Sequence, residues 1–460
     1  MNRNTHMNTS RFTKISIVVS LVLLVISGSI IAQKTWTLED CINHALENNI
    51  RIKQSYLDVE TGAINQRESK LDFLPNLNGS VSHSYGWGRS VDMATYNYVN
   101  QTQQSYFNIS SELTLFSGFQ KLNTLKQRRF DYLASKYNSD KIKNDISLSV
   151  AGAYLQILFS REQVNNAEQQ FAVTNQQIDR TAKLVAAGTL AKGSLLEIQA
   201  QGANEEVSLV QAKNQLNLAY LDLLQLLEIE AGTAFQIDIP TLGLTQQPEI
   251  LPIQYIYNAA LGAMPEIKSA EMSYESFGRA LSVAKGSRSP SLALSLGLET
   301  RYSEGNPQNI KPFSDQFKDN QNSTLAFRLS IPIFNNWQIN SYVGRSKVNF
   351  LNADYNLQLA KNTLRKNVET AYADALAAYS SYSAREKSLS SLEESFSYTE
   401  QKFNVGMVNA LDYNVAKNQL NKANSDLLSA KYDFIFKYKI LDFYLGKTLT
   451  LKDLQMIQNK

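Results

Sequence analysis

The chain has 460 residues, with 45 Lys and Arg against 42 Asp and Glu, three His and one Cys. At about 150 residues per domain, that length exceeds one small core and allows two or three units. One cysteine excludes a disulfide within the chain, and Cys41, His44 and His83 are too few for a zinc cluster. Setting aside the first 32 residues removes Arg3, Arg11, Lys14 and His6 but no acid, so the remainder balances at 42 charges of each sign. With no basic run either, the positive footprint that nucleic-acid binding requires is missing.

Residues 1–32 read as a secretory signal peptide: basic residues up to Lys14, an apolar run from Ile15 to Ile31, and a plausible cleavage point at Ala32-Gln33. An uncleaved membrane anchor is the alternative, although Ser20, Ser27, Gly28 and Ser29 weaken the run. Cys41 follows Leu38-Glu39-Asp40 rather than a box of small residues, so lipid attachment there is not expected. No later stretch approaches the roughly 20 apolar residues of a membrane helix, so any further membrane contact must use strands.

The mature chain is duplicated. Ala45-Leu46 and Ile52-Lys53 recur as Ala260-Leu261 and Ile267-Lys268, a shift of 215 residues. Farther on the shift is 218, relating Phe116 to Phe334, Phe119 to Trp337, Tyr154 to Tyr372, and Gly188 to Gly406. The first copy spans 33–229: a half-helix, a β-hairpin over 76–116, a long helix over 120–187 and a half-helix over 193–229. Residues 230–251 form a Pro- and Gly-bearing linker. The second copy spans 252–446, with a half-helix, a hairpin over 291–334, a long helix over 338–405 and a half-helix over 411–446. The chain ends in a tail, 447–460.

The half-helices Leu38 to Asp72 and Pro252 to Ser287 stop shortly before Pro75 and Pro290. The segment after each proline alternates with period two. Leu77, Val81, Tyr85 and Trp87 share one face against Asn78, Ser80, Ser82 and Ser84. Leu292, Leu294, Leu296 and Leu298 oppose Ala293, Ser295 and Glu299, while Leu325, Phe327 and Leu329 oppose Thr324, Ala326 and Arg328. The return strand of the first copy is read over 106–116, leaving polar loops at 89–105 and 303–322. A soluble β-sandwich gives the same alternation. Strands of this length with aromatics toward their ends also fit a tilted bilayer span, whose lipid-facing side would carry Leu77, Val81, Tyr85, Trp87, Leu294, Leu296, Leu298, Phe327 and Leu329. Four strands cannot close a barrel, so several chains would have to share one.

Each long helix, of roughly 68 residues, would measure about 100 Å, far beyond a single globular core. Its apolar stripe is modest, mixing Ala and Thr with few Leu, which suits a thin wall wet on both sides. The two half-helices of each copy, stacked end to end, match one long helix in length. No nucleophile and histidine constellation accompanies these elements, so no catalytic residue, cofactor or metal site is expected.

This order of half-helix, proline, hairpin, long helix, Gly turn and half-helix, found twice, resembles the TolC-like outer-membrane efflux proteins over essentially the whole mature chain. The turns Phe403-Asn404-Val405-Gly406-Met407-Val408 to Leu411-Asp412, and Ala186-Ala187-Gly188-Thr189-Leu190 to Ser194-Leu195, carry the resemblance. It implies a mainly helical membrane protein with a two-fold internal repeat, whose homotrimer forms a 12-stranded β-barrel continuing into a long periplasmic α-helical barrel. Residues 229–252 and the tail would form a belt at the tunnel's waist. The resemblance also implies a non-enzymatic, passive exit duct in the outer membrane, working with a periplasmic adaptor and an inner-membrane pump in tripartite efflux or type I secretion. Gly188, Thr189, Val405, Gly406 and Met407 match the family's adaptor-docking turns, and Asp412, Ser194 and Phe403 its periplasmic gate. An Asp412 from each chain would make an anionic ring there. An elongated structural or adhesive coiled-coil envelope protein, or an anchored adaptor, are the competing readings.

Overall fold

The computed structural model describes residues 35–91, 96, 98–230, 232, 234–240, 250–304 and 311–451. The signal peptide expected over 1–32 lies outside these residues, as do 241–249 of the linker and 452–460 of the tail. In chain order the elements are β1 (Thr35–Trp36), α1 (Leu38–Asn48), α2 (Ile50–Leu71), β2 (Asn78–Val91), β3 (Tyr98–Ser117), α3 (Gln120–Ala186) and α4 (Lys192–Leu227). Next come β4 (Gln236–Ile237), α5 (Ile253–Ala263), α6 (Pro265–Gly286), β5 (Ser291–Glu304), α7 (Phe313–Asp319), β6 (Asn322–Ser330), α8 (Gln338–Asn404) and α9 (Ala410–Tyr444). Among the described residues, no helix is long and apolar enough to cross a membrane.

Two compact units cut across the sequence copies. One gathers the described parts of 1–45, 149–248 and 450–460, the other those of 46–148 and 249–449. In the first unit, β1 pairs in parallel with β4, and the Asp238 N–H continues the pairing by donating to the Trp36 carbonyl at 2.8 Å. Tyr154 closes this corner. Its hydroxyl donates to the Asp238 carbonyl at 2.6 Å, and burial above all raises its pKa, so the phenol remains a donor. Farther along the same unit, the buried Glu205 accepts from Thr174, from Gln170 at 3.1 Å and from Gln201 at 2.9 Å, tying α3 to α4.

In the second unit α8 is a continuous helix of 67 residues, about 100 Å long. Leu364, Val368, Ala371 and Ala375 form its buried stripe, packed against Ile256, Ala260, Met264 and Ile267. Burial of small side chains at three- and four-residue spacing brings the helix axes close, which is why an Ala-rich stripe suffices here. The antiparallel α9 lies along α8 beyond the Gly turn, and its Leu441 joins the same cluster.

The first half-helix of each copy, read as continuous, is broken, and at matching places, whereas α4 and α9 run unbroken. α1 ends before Asn49, whose side chain accepts the Arg51 N–H at 3.0 Å and starts α2. In the second copy Met264 adopts extended backbone between α5 and α6, because Pro265 has no N–H to continue the helix and is suited to a first-turn position. Both break residues are buried.

The hairpins also differ from the sequence expectation. β3 begins at Tyr98, so most of the expected 89–105 loop is strand. Its early residues, Gln101 to Gln104, are polar on both faces and carry no alternation, yet their backbone pairs with Trp87 to Ser84. The expected 303–322 loop contains α7. β2, β3, β5 and β6 form one antiparallel sheet in that order, joined between the copies by β3 and β5 with Ser111 opposite Leu296.

Gly118, between β3 and α3, has φ of +60°, and a methyl group there would overlap the Gly286 carbonyl and the Ser289 side chain. Gly446, after α9, has φ of +78° but meets only the Ala263 methyl at 3.9 Å. Gly446→Ala is therefore expected to cost about 1 kcal/mol, the backbone term alone. Gly118→Ala should cost clearly more, because overlap with backbone adds to the same term. Thermal transitions of the two purified variants check the order.

Candidate functional site: the sheet faces and the hairpin tips

The ladder register decides which side chains share a face. Val81 lies opposite Phe107, Ile109 opposite Leu298, Leu294 opposite Phe327, and Leu292 opposite Leu329. Of the residues predicted for the apolar face, Val81, Tyr85, Trp87, Leu294, Leu296, Leu298, Phe327 and Leu329 fall on this one side by strand parity, while Leu77 stands just before β2. Most are strongly exposed, with Trp87 at 78% and Phe327 at 67%. The other side is polar. Glu299 there accepts from the Tyr106 hydroxyl and from Asn322 at 3.1 Å, and Arg328 lies opposite Ala293.

The apolar band has two ends. Toward the helices it stops at Phe116 and Leu292; in the other direction it stops at Val81, Phe107 and Thr300. Beyond that level the aliphatic side chains give way on the same face to His83, which bonds Ser105 at 2.8 Å, with Gln103 and Tyr302 beside it, and then to the aromatic rings of Tyr85 and Trp87. At the helix end, Gly118-Phe119 and Asn336-Trp337 each place two successive residues in the left-handed region. A non-Gly residue there costs about 1 kcal/mol or more, and here it turns the exposed Phe119 and Trp337 outward at equivalent places in the two copies.

The helix faces hold a feature that reasoning from sequence missed. On α2, Ile50, Leu57, Ile64 and Leu71 recur at seven-residue spacing, and all are more than half exposed. On α8, Val348, Leu351, Tyr355 and Leu359 form a second exposed apolar stripe. Strict seven-residue spacing is the coiled-coil signal and was available to find the first of these.

The two hairpin tips, one in each unit, share one construction. Gly188 and Gly406 have φ of +75° and +78°. The Gly188 N–H donates to Val185 and the Thr189 N–H to Leu184; Gly406 and Met407 donate likewise to Phe403 and Lys402. This is the paired bonding that closes a helix on a left-handed glycine. Among the described residues, apart from the adjoining ones, nothing lies within 4 Å of where a Cβ would stand at either glycine. Val405 and Met407 are 70% and 75% exposed.

The tips then differ. The Asp412 N–H donates to the Asn409 side chain at 2.8 Å, so Asp412 sits exposed in the first turn of α9, where a carboxylate favours the helix dipole. Ser194, its counterpart, donates its N–H to the Ala191 carbonyl at 3.1 Å, without a side-chain cap. Phe403 turns inward, stacking on Tyr413 at 4.6 Å between ring centres, with Phe396 at 5.5 Å. Tyr413, passed over in the sequence, is almost fully buried.

The chain belongs to the outer membrane efflux protein family, whose model matches residues 41–227 and 256–447. It is thus an outer-membrane protein of the efflux-channel class. Among relatives, it is 25% identical to the probable outer membrane lipoprotein SilC of Salmonella typhimurium over 72% of this chain and 67% of that protein. It is 22% identical to the outer membrane protein TolC of Escherichia coli K12 over 95% of this chain and 88% of that one. In fold it is similar to solved CusC, with a TM-score of 0.76, 19% identity, and 90% and 94% of the two chains covered. The Campylobacter jejuni outer membrane channel CmeC is similar with a TM-score of 0.76, 16% identity, and 92% and 89% covered.

Tyr413→Ala removes the ring that closes the second tip. It is expected to weaken that hairpin by about 3 kcal/mol, which accelerates local hydrogen exchange roughly 100-fold. Exchange of the Phe396 to Tyr413 amides in the purified protein is the measurement.

Proposed function

We propose that three copies of this chain form one passive duct, with twelve strands closed as a barrel in the outer membrane and the helices continuing as a periplasmic tunnel. One observation carries the reading: each open edge of the sheet leads into an exposed apolar helix stripe. Among the described residues, β2 has no strand partner on its outer edge and follows α2, and β6 has none on its outer edge and precedes α8. Two different surfaces that each need covering make a head-to-tail contact, which closes into a ring when repeated. Lipid does not tolerate open strand edges, so the ring must close. Two copies would give eight strands, whose interior side chains fill; three is the smallest number that leaves a lumen.

The apolar band supports the placement. From Phe116 to Phe107 it runs about 30 Å along β3, or roughly 23 Å of bilayer at a strand tilt of about 40°. That matches the apolar band of about 25 Å on outer-membrane barrels. The polar face, with Glu299 and Arg328, then lines the water-filled interior.

An efflux duct of this kind works with a periplasmic adaptor and an energised inner-membrane pump, and the pump selects the cargo. The adaptor docks at the tips, where Gly188 and Gly406 leave room for another backbone and Thr189, Val405 and Met407 offer exposed contact. Asp412 forms an anionic ring at the tunnel mouth, with Ser194 as its neutral counterpart, while Phe403 acts from inside the hairpin by holding Tyr413. Nothing in this reading calls for catalysis.

The detergent-extracted protein, freed of detergent mass by light scattering, is expected at three times the chain mass. Leu57→Asp, in the middle of the α2 stripe, should shift it toward monomer, since a buried unpaired carboxylate costs several kcal/mol per interface. A monomer from the unaltered chain would overturn the shared barrel. In planar bilayers the channel is expected to prefer cations, and Asp412→Ala should lower that preference; an unchanged ion selectivity would remove Asp412 from the gate.

A further inference from the structure

β5 outruns the strand beside it. β6 starts at Asn322, opposite Glu299, so the β5 backbone from Thr300 onward has no strand on that side among the described residues. Side chains of α7 and its C-terminal turn take the missing strand's place. The buried Gln316 amide accepts from the Ser303 N–H at 3.0 Å and donates to the Ser303 carbonyl at 3.1 Å. Asn320 donates to the Arg301 carbonyl at 2.8 Å, and the Thr300 hydroxyl donates to the Phe317 carbonyl at 2.8 Å. An open β edge in a membrane protein has to be satisfied, and here two amide side chains do it.

The same fastening lays α7 over the apolar face of the sheet. Phe317 meets Phe107 edge-on at 5.5 Å, and Phe313 meets Tyr302 at 5.5 Å. Beside them is an open groove of about 450 Å³, whose apolar walls include Val81, Phe107, Ile109, Leu298 and Phe317. Val81, Phe107 and Thr300 are also the last level of the aliphatic band before His83, Ser105 and Tyr302, beyond which the same face carries the aromatic Tyr85 and Trp87. The groove is therefore continuous with the band and sits at its upper limit, while Ser314, Asp315 and Lys318 of α7 remain exposed.

We propose that this groove is a lipid site that holds one acyl chain of an outer-leaflet lipid, with α7 as its wall at headgroup level. The inference rests on the apolar face meeting lipid. An apolar groove is a poor host for water, and a chain entering from the adjoining bilayer needs no passage through solvent. Leu325, Phe327 and Leu329 on β6 belong to the same band, are exposed and lie outside the groove, so they serve as the reference for exchanging lipid.

The test is photolabelling of the full-length protein in phospholipid vesicles that carry a diazirine on one acyl chain, with labelled positions mapped by peptide mass spectrometry. Labelling at Phe107, Ile109 and Phe317 is expected several-fold above that at Leu325, Phe327 and Leu329. Gly79→Leu should remove the excess and leave β6 labelling unchanged. Its new side chain stands in the groove, and the nearest atom to its Cβ is the Asn108 carbonyl oxygen at 4.0 Å, so the strand tolerates it. Gln316→Ala, which releases α7, should lower labelling of Phe317 in particular. Equal labelling of groove and β6 would overturn the lipid site alone, as would an excess that survives Gly79→Leu. Absence of label from β6 as well would overturn the lipid-facing assignment on which the site depends.

Discussion

A strand edge inside a bilayer has no water to satisfy its N–H and C=O groups, and that constraint organises this molecule. The four-stranded sheet has one apolar and one polar face, which suits a wall between lipid and water, but among the described residues it ends in two open edges. Each edge runs into a helix with an exposed apolar stripe, so the surfaces that cannot stay bare in lipid and those that should not stay bare in water lie in line. Covering one without the other would leave half of the problem unsolved. The proposed ring covers both with a single repeated contact.

The same constraint explains details that otherwise look unrelated. β5 rises past the end of β6, and Gln316 and Asn320 supply amides where a strand is missing. β3, by contrast, can continue through polar residues to Tyr98, because β2 accompanies it. At the opposite end, the turn out of each hairpin is held left-handed at Phe119 and Trp337 in both copies. Strain repeated at equivalent positions of a duplicated chain indicates a shared geometric need, here the redirection of a strand into a helix about 100 Å long.

Duplication has not made the two helical hairpins equal. Where the first copy buries Glu205 among Thr174, Gln170 and Gln201, the second has Ala423, Leu392, Ser388 and Gln419. Where the second tip closes on stacked Phe403 and Tyr413 and caps its helix with Asn409, the first has Val185, Leu195 and Ala191. The backbone turn is common to both because it depends on one glycine and two hydrogen bonds. The side chains around it are free to diverge, and the tips therefore present different surfaces.

Much of this was legible in the amino-acid order. The duplication, the strand faces, the long helices and the Gly turns are periodic or local properties, and a period of two, or a glycine after a helix, has its meaning within a few residues. The seven-residue series Ile50, Leu57, Ile64 and Leu71 was equally periodic and was overlooked. Other features depend on partners distant in sequence. The break at Asn49 has no proline to announce it, unlike Pro265, and the strand from Tyr98 to Ser105 takes its form from β2 rather than from its own alternation. The stacking of Phe403 on Tyr413 and the bonding of Gln316, within the expected loop, to Ser303 likewise depend on the partner and not on local pattern. Sequence alone determined which face of each element is apolar, because that depends only on spacing along one chain. Only tertiary structure decided which edges and stripes remain uncovered, because exposure depends on what packs alongside.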